Sequence, residues 1–143
     1  MQRIVIGKKV KCDYRKTVYG IIACGEKLLV TYSNKDKEYS LIGGGVEQGK
    51  TLEESLKREF LEESGYLIDK INEFVNIDCF WRKRDGRLME TDANFFFCEV
   101  DENKKIEPLE PFHEPMWIDI SQALKLIPFP YQIEALKLLS NKN

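Results

Sequence analysis

The chain has 143 residues, 43% of them hydrophobic and 32% charged, with a formal net charge of -2. That is enough apolar material for one globular domain over residues 1–143, and the slight acidic excess argues against a general phosphate-backbone binder, which would carry a basic excess or stripe. Cys12, Cys24, Cys79 and Cys98 are scattered without a Cys-x-x-Cys pair, and His113 is the single histidine. A structural zinc cage is therefore not expected, and each thiol is read as a reduced, small, buried apolar group. The first residues, Met-Gln-Arg-Ile-Val-Ile-Gly-Lys-Lys, hold no apolar run long enough for a signal peptide, and no stretch approaches a membrane span. A cytoplasmic location is expected.

In chain order, Val18 to Ala23 and Lys27 to Tyr32 are rich in β-formers, and Cys24-Gly25-Glu26 between them reads as a hairpin turn. Tyr39 to Ile42 is a short extended piece leading into Gly43, Gly44 and Gly45. Thr51 is placed to cap the next helix, with Glu54 completing a capping box, and Gly65 to end it. Within that helix Leu52, Leu56 and Phe60 form an apolar stripe, expected to face away from the helix's carboxylates and to pack on a sheet. Phe74 to Arg82 and Asn94 to Val100 read as strands, with Lys83-Arg84-Asp85-Gly86-Arg87 as the turn region between them. Pro108, Pro111 and Pro115 mark an irregular loop, Met116 to Ile118 a last strand, and about Ser121 to Leu126 and Tyr131 to Leu139 two helices interrupted by Pro128 and Pro130.

The chemistry concentrates in the segment from Gly43 to Tyr66. At about 100° per residue, Glu59, Glu62 and Glu63 fall within about a 100° arc of one helix face. Like charges that close resist ionising together unless a cation lies among them, and hard oxygen ligands suit Mg²⁺ or Mn²⁺. An acidic helix face alone is usually just solvated, with Lys57 and Arg58 balancing it. The glycines immediately upstream change that reading, because a backbone free of Cβ atoms can approach a ligand closely and present its amides and carbonyls.

At these residues the chain resembles the Nudix (MutT-like) hydrolases, whose signature runs Gly, five residues, Glu, seven residues, Arg-Glu, an apolar residue, any residue, Glu-Glu, any residue, Gly and an apolar residue. Gly44 opens it here, and Arg58, Glu59, Phe60, Glu62, Glu63, Gly65 and Tyr66 fill its second half in register. Lys50 departs from the pattern, standing where the family has its first Glu. The resemblance implies an α/β/α sandwich with a mixed central sheet, and the run Trp117 to Leu124 is similar to the family's strand into its final helical region. It also implies a Mg²⁺- or Mn²⁺-dependent enzyme that hydrolyses a pyrophosphate bond in a nucleoside diphosphate linked to another group.

Under that resemblance Glu59, Glu62 and Glu63 are the metal ligands, with a backbone carbonyl at about Gly43, and Glu59 helps to activate water. Arg58 holds Glu59 in place, although a surface salt bridge is the competing reading. A further carboxylate is expected from the Pro-rich loop, where Glu110 and Glu114 are candidates and Glu114 is favoured for its nearness to Trp117. His113 is a candidate proton carrier, set against the commoner case of a loop histidine without a role. Gly44, Gly45, Lys50 and Trp81 are assigned to substrate. Phe80 and Tyr39 are further stacking surfaces, and Arg82, Lys83, Arg84 and Arg87 form a basic cluster able to attract phosphates or simply to solvate a hairpin tip. A small-molecule nucleotide is the expected partner, with neither membrane nor nucleic acid, and a homodimer is expected because dimers are frequent in the family. The rival reading is a module of the same fold that senses nucleotide without hydrolysing it. A weaker one is hydrolysis of an RNA 5′ end, which needs a basic groove.

Overall fold

The computed structural model describes residues 1–141. Among these residues, eight strands and three α-helices occur in the order β1 (Gln2–Ile6), β2 (Asp13–Ile21), β3 (Ala23–Cys24), β4 (Lys27–Ser33), β5 (Glu38–Gly45), α1 (Leu52–Glu63), β6 (Ile68–Arg82), β7 (Leu88–Val100), β8 (His113–Asp119), α2 (Ile120–Leu126) and α3 (Pro130–Asn141). The strands line up as β1-β6-β7-β2-β5-β4-β3, with β8 on β4 as well. Pairing is mixed: β1 with β6 and β2 with β7 are parallel, and the other pairs are antiparallel.

Alternation along the strands splits the core in two, one half on each face of the sheet. Val18, Leu29, Ile42 and Phe96 turn toward α1, where Leu56 and Phe60 meet them. Their neighbours Tyr19, Leu28, Val30, Leu41 and Phe95 turn to the other face, where α2 and α3 contribute Ala123, Tyr131, Ala135 and Leu136. This is an α/β/α sandwich with a mixed central sheet, as the resemblance implies. α1 sits close because Phe60 packs on bare backbone at Gly20, where a Cβ would come within 2.4 Å of its ring.

The α1 boundaries follow from the expected signals. Thr51 accepts from the Glu54 N–H while the Glu54 side chain accepts from the Thr51 N–H, a reciprocal cap worth about 1 kcal/mol. At the other end Ser64 is the C-cap and Gly65 takes φ 76°, the left-handed turn that stops the helix.

Several elements depart from the expectations. β1 has no counterpart among the expected strands, and β2, β6, β7 and β8 extend beyond the runs read from composition, because polar residues at the strand ends pair through their backbones regardless of side chain. Pro115 lies inside β8 rather than in a loop; β8 is at an edge, where a missing N–H is tolerated. Cys79 and Cys98 are buried, whereas Cys12 is half-buried and Cys24 exposed, so the buried reading fails for two of the four thiols. The apolar stripe and the carboxylates of α1 adjoin rather than oppose each other: Glu59 and Glu63 are buried beside Leu56 and Phe60. No helix among the described residues is long and apolar enough to cross a membrane.

Candidate functional site

A cleft of about 530 Å³ opens where the sheet splays. β2 and β5 pair only from Thr17–Gly45 to Gly20–Ile42, while the first half of β5 pairs with β4. Beyond Ile42 the strands part, which would leave the buried Leu41 N–H without a partner. Gln132 of α3, itself 1% exposed, fills the gap: its Oε1 accepts from the Leu41 N–H at 2.8 Å, and its Nε2 donates to Ser40 Oγ at 3.0 Å. The opening is thus stabilised by a side chain standing in for a missing strand neighbour.

The acidic end of the cleft is built by α1, the glycine turn and the loop before β8. Gly43 takes φ +154°, and a Cβ there would lie 2.0 Å from Val18 O; its N–H donates to Glu63 Oε1 at 3.3 Å. A Cβ on Gly44 would come within 2.9 Å of Glu59 Oε1, so that glycine leaves the space the Glu59 carboxylate occupies. Arg58 ties the cluster together from outside. Its Nη2 donates to Glu59 Oε1 at 2.9 Å and to Gly45 O at 3.2 Å, its Nη1 pairs with Glu47, and its Nε lies 3.7 Å from Glu62 Oε1. Burial works against the Arg58 cation, but Glu59, Glu47 and Glu62 outweigh it and its pKa is raised. This is a buttress for Glu59, more than an isolated surface pair.

Burial, reinforced by the neighbouring Glu59 carboxyl, holds Glu63 well above the ordinary carboxylate value. Burial and the nearby Glu59 and Glu110 also raise Glu62, against the opposing pull of Arg58. The three helix carboxylates do not close into one triplet. Among the described residues, the group whose ligand atoms all lie within 4.8 Å of one another is Glu63, Glu110 and His113, with Glu59 against Glu63 and Glu62 toward the outer edge. Glu110 reaches this position through main-chain anchors: its N–H donates to Glu62 O at 2.9 Å, and the Leu109 N–H donates to Leu61 O at 3.3 Å. The loop thereby satisfies carbonyls at the C-terminal end of α1.

Glu114, the favoured loop carboxylate, is not brought to the cluster. It follows His113 in β8, and successive strand residues face opposite ways; Glu114 is exposed and accepts from Asn34 Nδ2 at 3.1 Å. Its place is taken by Glu110. Lys50 is likewise outside the cleft, exposed beside Glu47, Glu54 and Arg58 near the start of α1. Gly43, Gly44, Gly45 and Trp81 all line the cleft.

The opposite end is aromatic. Trp81 Nε1 donates to Thr91 Oγ1 at 2.9 Å, and its ring stands edge-on to Tyr131 and Phe129 at centroid separations of 5.7 and 6.4 Å. Burial pushes both Tyr19 and Tyr131 above the ordinary tyrosine value, so both hydroxyls stay protonated near neutral pH. Lys83 lines this end too, while Arg82 and Arg87 are engaged at the turn, with Gly86 O and Asp85 respectively. Phe80 and Tyr39 do not line the cleft. Arg15, which no motif in the sequence singles out, borders the cleft beside Gly45.

Residues 13–138 match the model of the NUDIX domain. The chain belongs to the Nudix family. It is 29% identical over 118 residues to Nudix hydrolase 21, chloroplastic, of Arabidopsis thaliana, covering 82% of this chain and 58% of that one. Over 87 residues it is 36% identical to an oxidized purine nucleoside triphosphate hydrolase of Danio rerio, covering 61% and 50% respectively. It is also 33% identical over 86 residues to the nucleoside triphosphatase NudI of Escherichia coli, covering 57% and 61%. The chain thus spans between half and about three-fifths of the length of these curated relatives. Among solved structures, a Nudix hydrolase of Nitrosomonas europaea superposes with a TM-score of 0.67 at 16% identity, over 90% of this chain and 89% of the other. A MutT Nudix hydrolase of Burkholderia pseudomallei gives 0.65 at 20%, over 87% and 97%. These likenesses concern the fold.

Proposed function

We propose that this Nudix protein hydrolyses the pyrophosphate bond of a nucleoside diphosphate linked to another group, using Mg²⁺ or Mn²⁺. The observation that carries the reading is one cleft with buried carboxylates at one end and an aromatic wall at the other. Buried like charges need a cation; Glu63 has no ion-pair partner among the described residues, and an oxygen-rich donor set suits a hard divalent ion. Glu59, Glu62, Glu63, Glu110 and the Gly43 carbonyl would hold it. When bound, such an ion neutralises phosphate charge and lowers the pKa of an attacking water.

The chain's own groups do the rest. Glu59, gripped by Arg58, is oriented to accept a proton from water attacking phosphorus; Arg58 is a positioning residue. Trp81 offers a planar apolar surface to a nucleobase at the aromatic end of the cleft. Lys83 at the aromatic end and Arg15 beside Gly45 supply positive charge for the phosphates. The nucleoside triphosphate relatives support a nucleotide substrate of this kind. The alternative of a non-hydrolysing sensor draws on Lys50, which lies outside the cleft.

The test is a panel of nucleoside triphosphates and nucleoside diphosphate conjugates with Mg²⁺ or Mn²⁺, read by release of nucleoside monophosphate and pyrophosphate or phosphate. Metal-dependent turnover that falls at least about a hundredfold in Glu59→Gln and Glu63→Gln supports the reading. Binding of nucleotide with no turnover at any metal concentration would overturn it in favour of the sensor.

A further inference from the structure

We propose that His113 joins Glu63 and Glu110 as a nitrogen ligand in the cation seat, and that its imidazole tilts the protein toward Mn²⁺ over Mg²⁺. This rests on the reading that the carboxylate cluster holds a divalent ion, and goes beyond it by assigning the histidine and the choice of metal. One ligand atom from each of the three residues lies within 4.8 Å of the other two, the spacing of groups able to share one ion.

The seat is held in place on every side. His113 pairs with Ser33 in the β4–β8 ladder, its N–H donates to Glu110 O at 3.2 Å, and the Asn34 N–H donates to Phe112 O at 2.8 Å. The ring is fixed from behind, with Nδ1 3.2 Å from Oγ1 of the buried Thr31, and its side chain is 13% exposed. That leaves Nε2 facing Glu110 Oε1 at 3.3 Å.

The Thr31 hydroxyl can donate to Nδ1 or accept from it. When it donates, Nε2–H points at Glu110 and the pair is satisfied without a metal. When it accepts, the Nε2 lone pair and the Glu110 carboxylate confront each other, an arrangement that a metal cation shared between them stabilises, as a proton on Nε2 would. The ring therefore suits both states without moving, and Thr31 orients it as a partner behind a metal-ligating histidine does. Glu63 supplies the third ligand: it is buried, it meets the Gly43 N–H and the Glu59 carboxyl, and it lies beside these two groups. Mg²⁺ favours all-oxygen surroundings; Mn²⁺ also takes carboxylate and water oxygens but, as a first-row transition ion, accepts an imidazole nitrogen beside them more readily than Mg²⁺ does.

The experiment is Mn²⁺ titration of the full chain followed by electron paramagnetic resonance, with Mg²⁺ competition and with pulsed detection of ¹⁴N coupling to bound Mn²⁺. The parent is expected to show imidazole nitrogen coupling and to prefer Mn²⁺ by at least about tenfold, and His113→Ala to lose the coupling and about tenfold or more in Mn²⁺ affinity while Mg²⁺ affinity shifts by less than about threefold. Thr31→Val, which removes the group orienting the ring, should weaken Mn²⁺ in the same direction. Bound Mn²⁺ without nitrogen coupling in the parent would overturn the histidine assignment and leave the carboxylate reading standing; no Mn²⁺ binding at all would overturn both. Should His113→Ala fail to fold, the nitrogen signal of the parent decides alone.

Discussion

Gly44→Ala isolates the placement of Glu59 from its chemistry. The new Cβ would sit 2.9 Å from Glu59 Oε1, 3.0 Å from Cδ and 3.2 Å from Oε2, so the carboxylate must retreat by about half an ångström to restore ordinary contact. It cannot do so freely, because Arg58 Nη2 holds the same oxygen at 2.9 Å and the side chain is buried. The strain, shared between an off-rotamer glutamate and a stretched charge-assisted hydrogen bond, should cost about 1–2 kcal/mol in stability. The φ of Gly44 is not in the left-handed region, so the backbone itself accepts alanine. Since a misplacement of 1 Å costs about a hundredfold, half of that should lower kcat by roughly tenfold with KM changed much less. The assay is steady-state hydrolysis of the best compound from the nucleotide panel at saturating metal, with thermal unfolding measured alongside. At Gly45 an added Cβ meets only the movable end of Arg15 at 3.0 Å, so Gly45→Ala should lower kcat less. If Gly44→Ala turned over within about twofold of the parent, the claim that Glu59 must occupy this position would be wrong.

Glu110→Gln should weaken divalent-metal affinity by about tenfold, whereas Glu114→Gln should leave it within about twofold, both read by Mn²⁺ titration; the reverse order would restore Glu114 to the site. Because Glu63 holds its proton more tightly in the folded metal-free chain than when unfolded, the folded state binds more protons as pH rises above the ordinary carboxylate value of 4.5. Its contribution to stability is therefore fully present below that value and lost as pH rises toward the raised folded value. Denaturant midpoints across this range should fall in the parent and flatten in Glu63→Gln, with saturating Mn²⁺ opposing the fall; equal slopes in parent and variant would refute the assignment. Gln132→Leu strands the buried Leu41 N–H and should cost about 1–3 kcal/mol in urea unfolding; no loss would mean that the cleft edge closes by itself. Lys50→Glu should keep turnover and apparent metal affinity within about twofold, since Lys50 lies outside the cleft, and a larger change would return it to the site.

Much of α1 was legible because its signals are local. The capping box at Thr51 and Glu54, the stop at Gly65 and the order of Arg58, Glu59, Glu62 and Glu63 all depend on residues within a turn or two of each other. Helical arithmetic misjudged one thing within that span, the relation of stripe to carboxylates. Glu59 and Glu63 share the buried flank of Leu56 and Phe60 because glycines on β2 and β5 let the sheet approach the helix. β1 is hard to read because it is short, mixes polar and apolar residues on both faces, and pairs with a strand some seventy positions away in sequence, as its Gln2–Val75 register shows.

The sequence by itself determined the family, the glycine turn and the carboxylate helix, since each is written in adjacent residues whose backbone and side-chain preferences are local, and it left Arg58 open between a hold on Glu59 and a surface salt bridge. Only the tertiary structure decided which loop carboxylate joins them, that Lys50 stays out, and that Arg15, Gln132 and His113 come in. Glu110 reaches the cluster because its loop caps the end of α1, and Glu114 misses it because strand pleat sends alternate side chains to opposite faces. Those choices depend on where distant strands part and where a loop finds open carbonyls, and contacts across such separations leave no periodic trace in the chain.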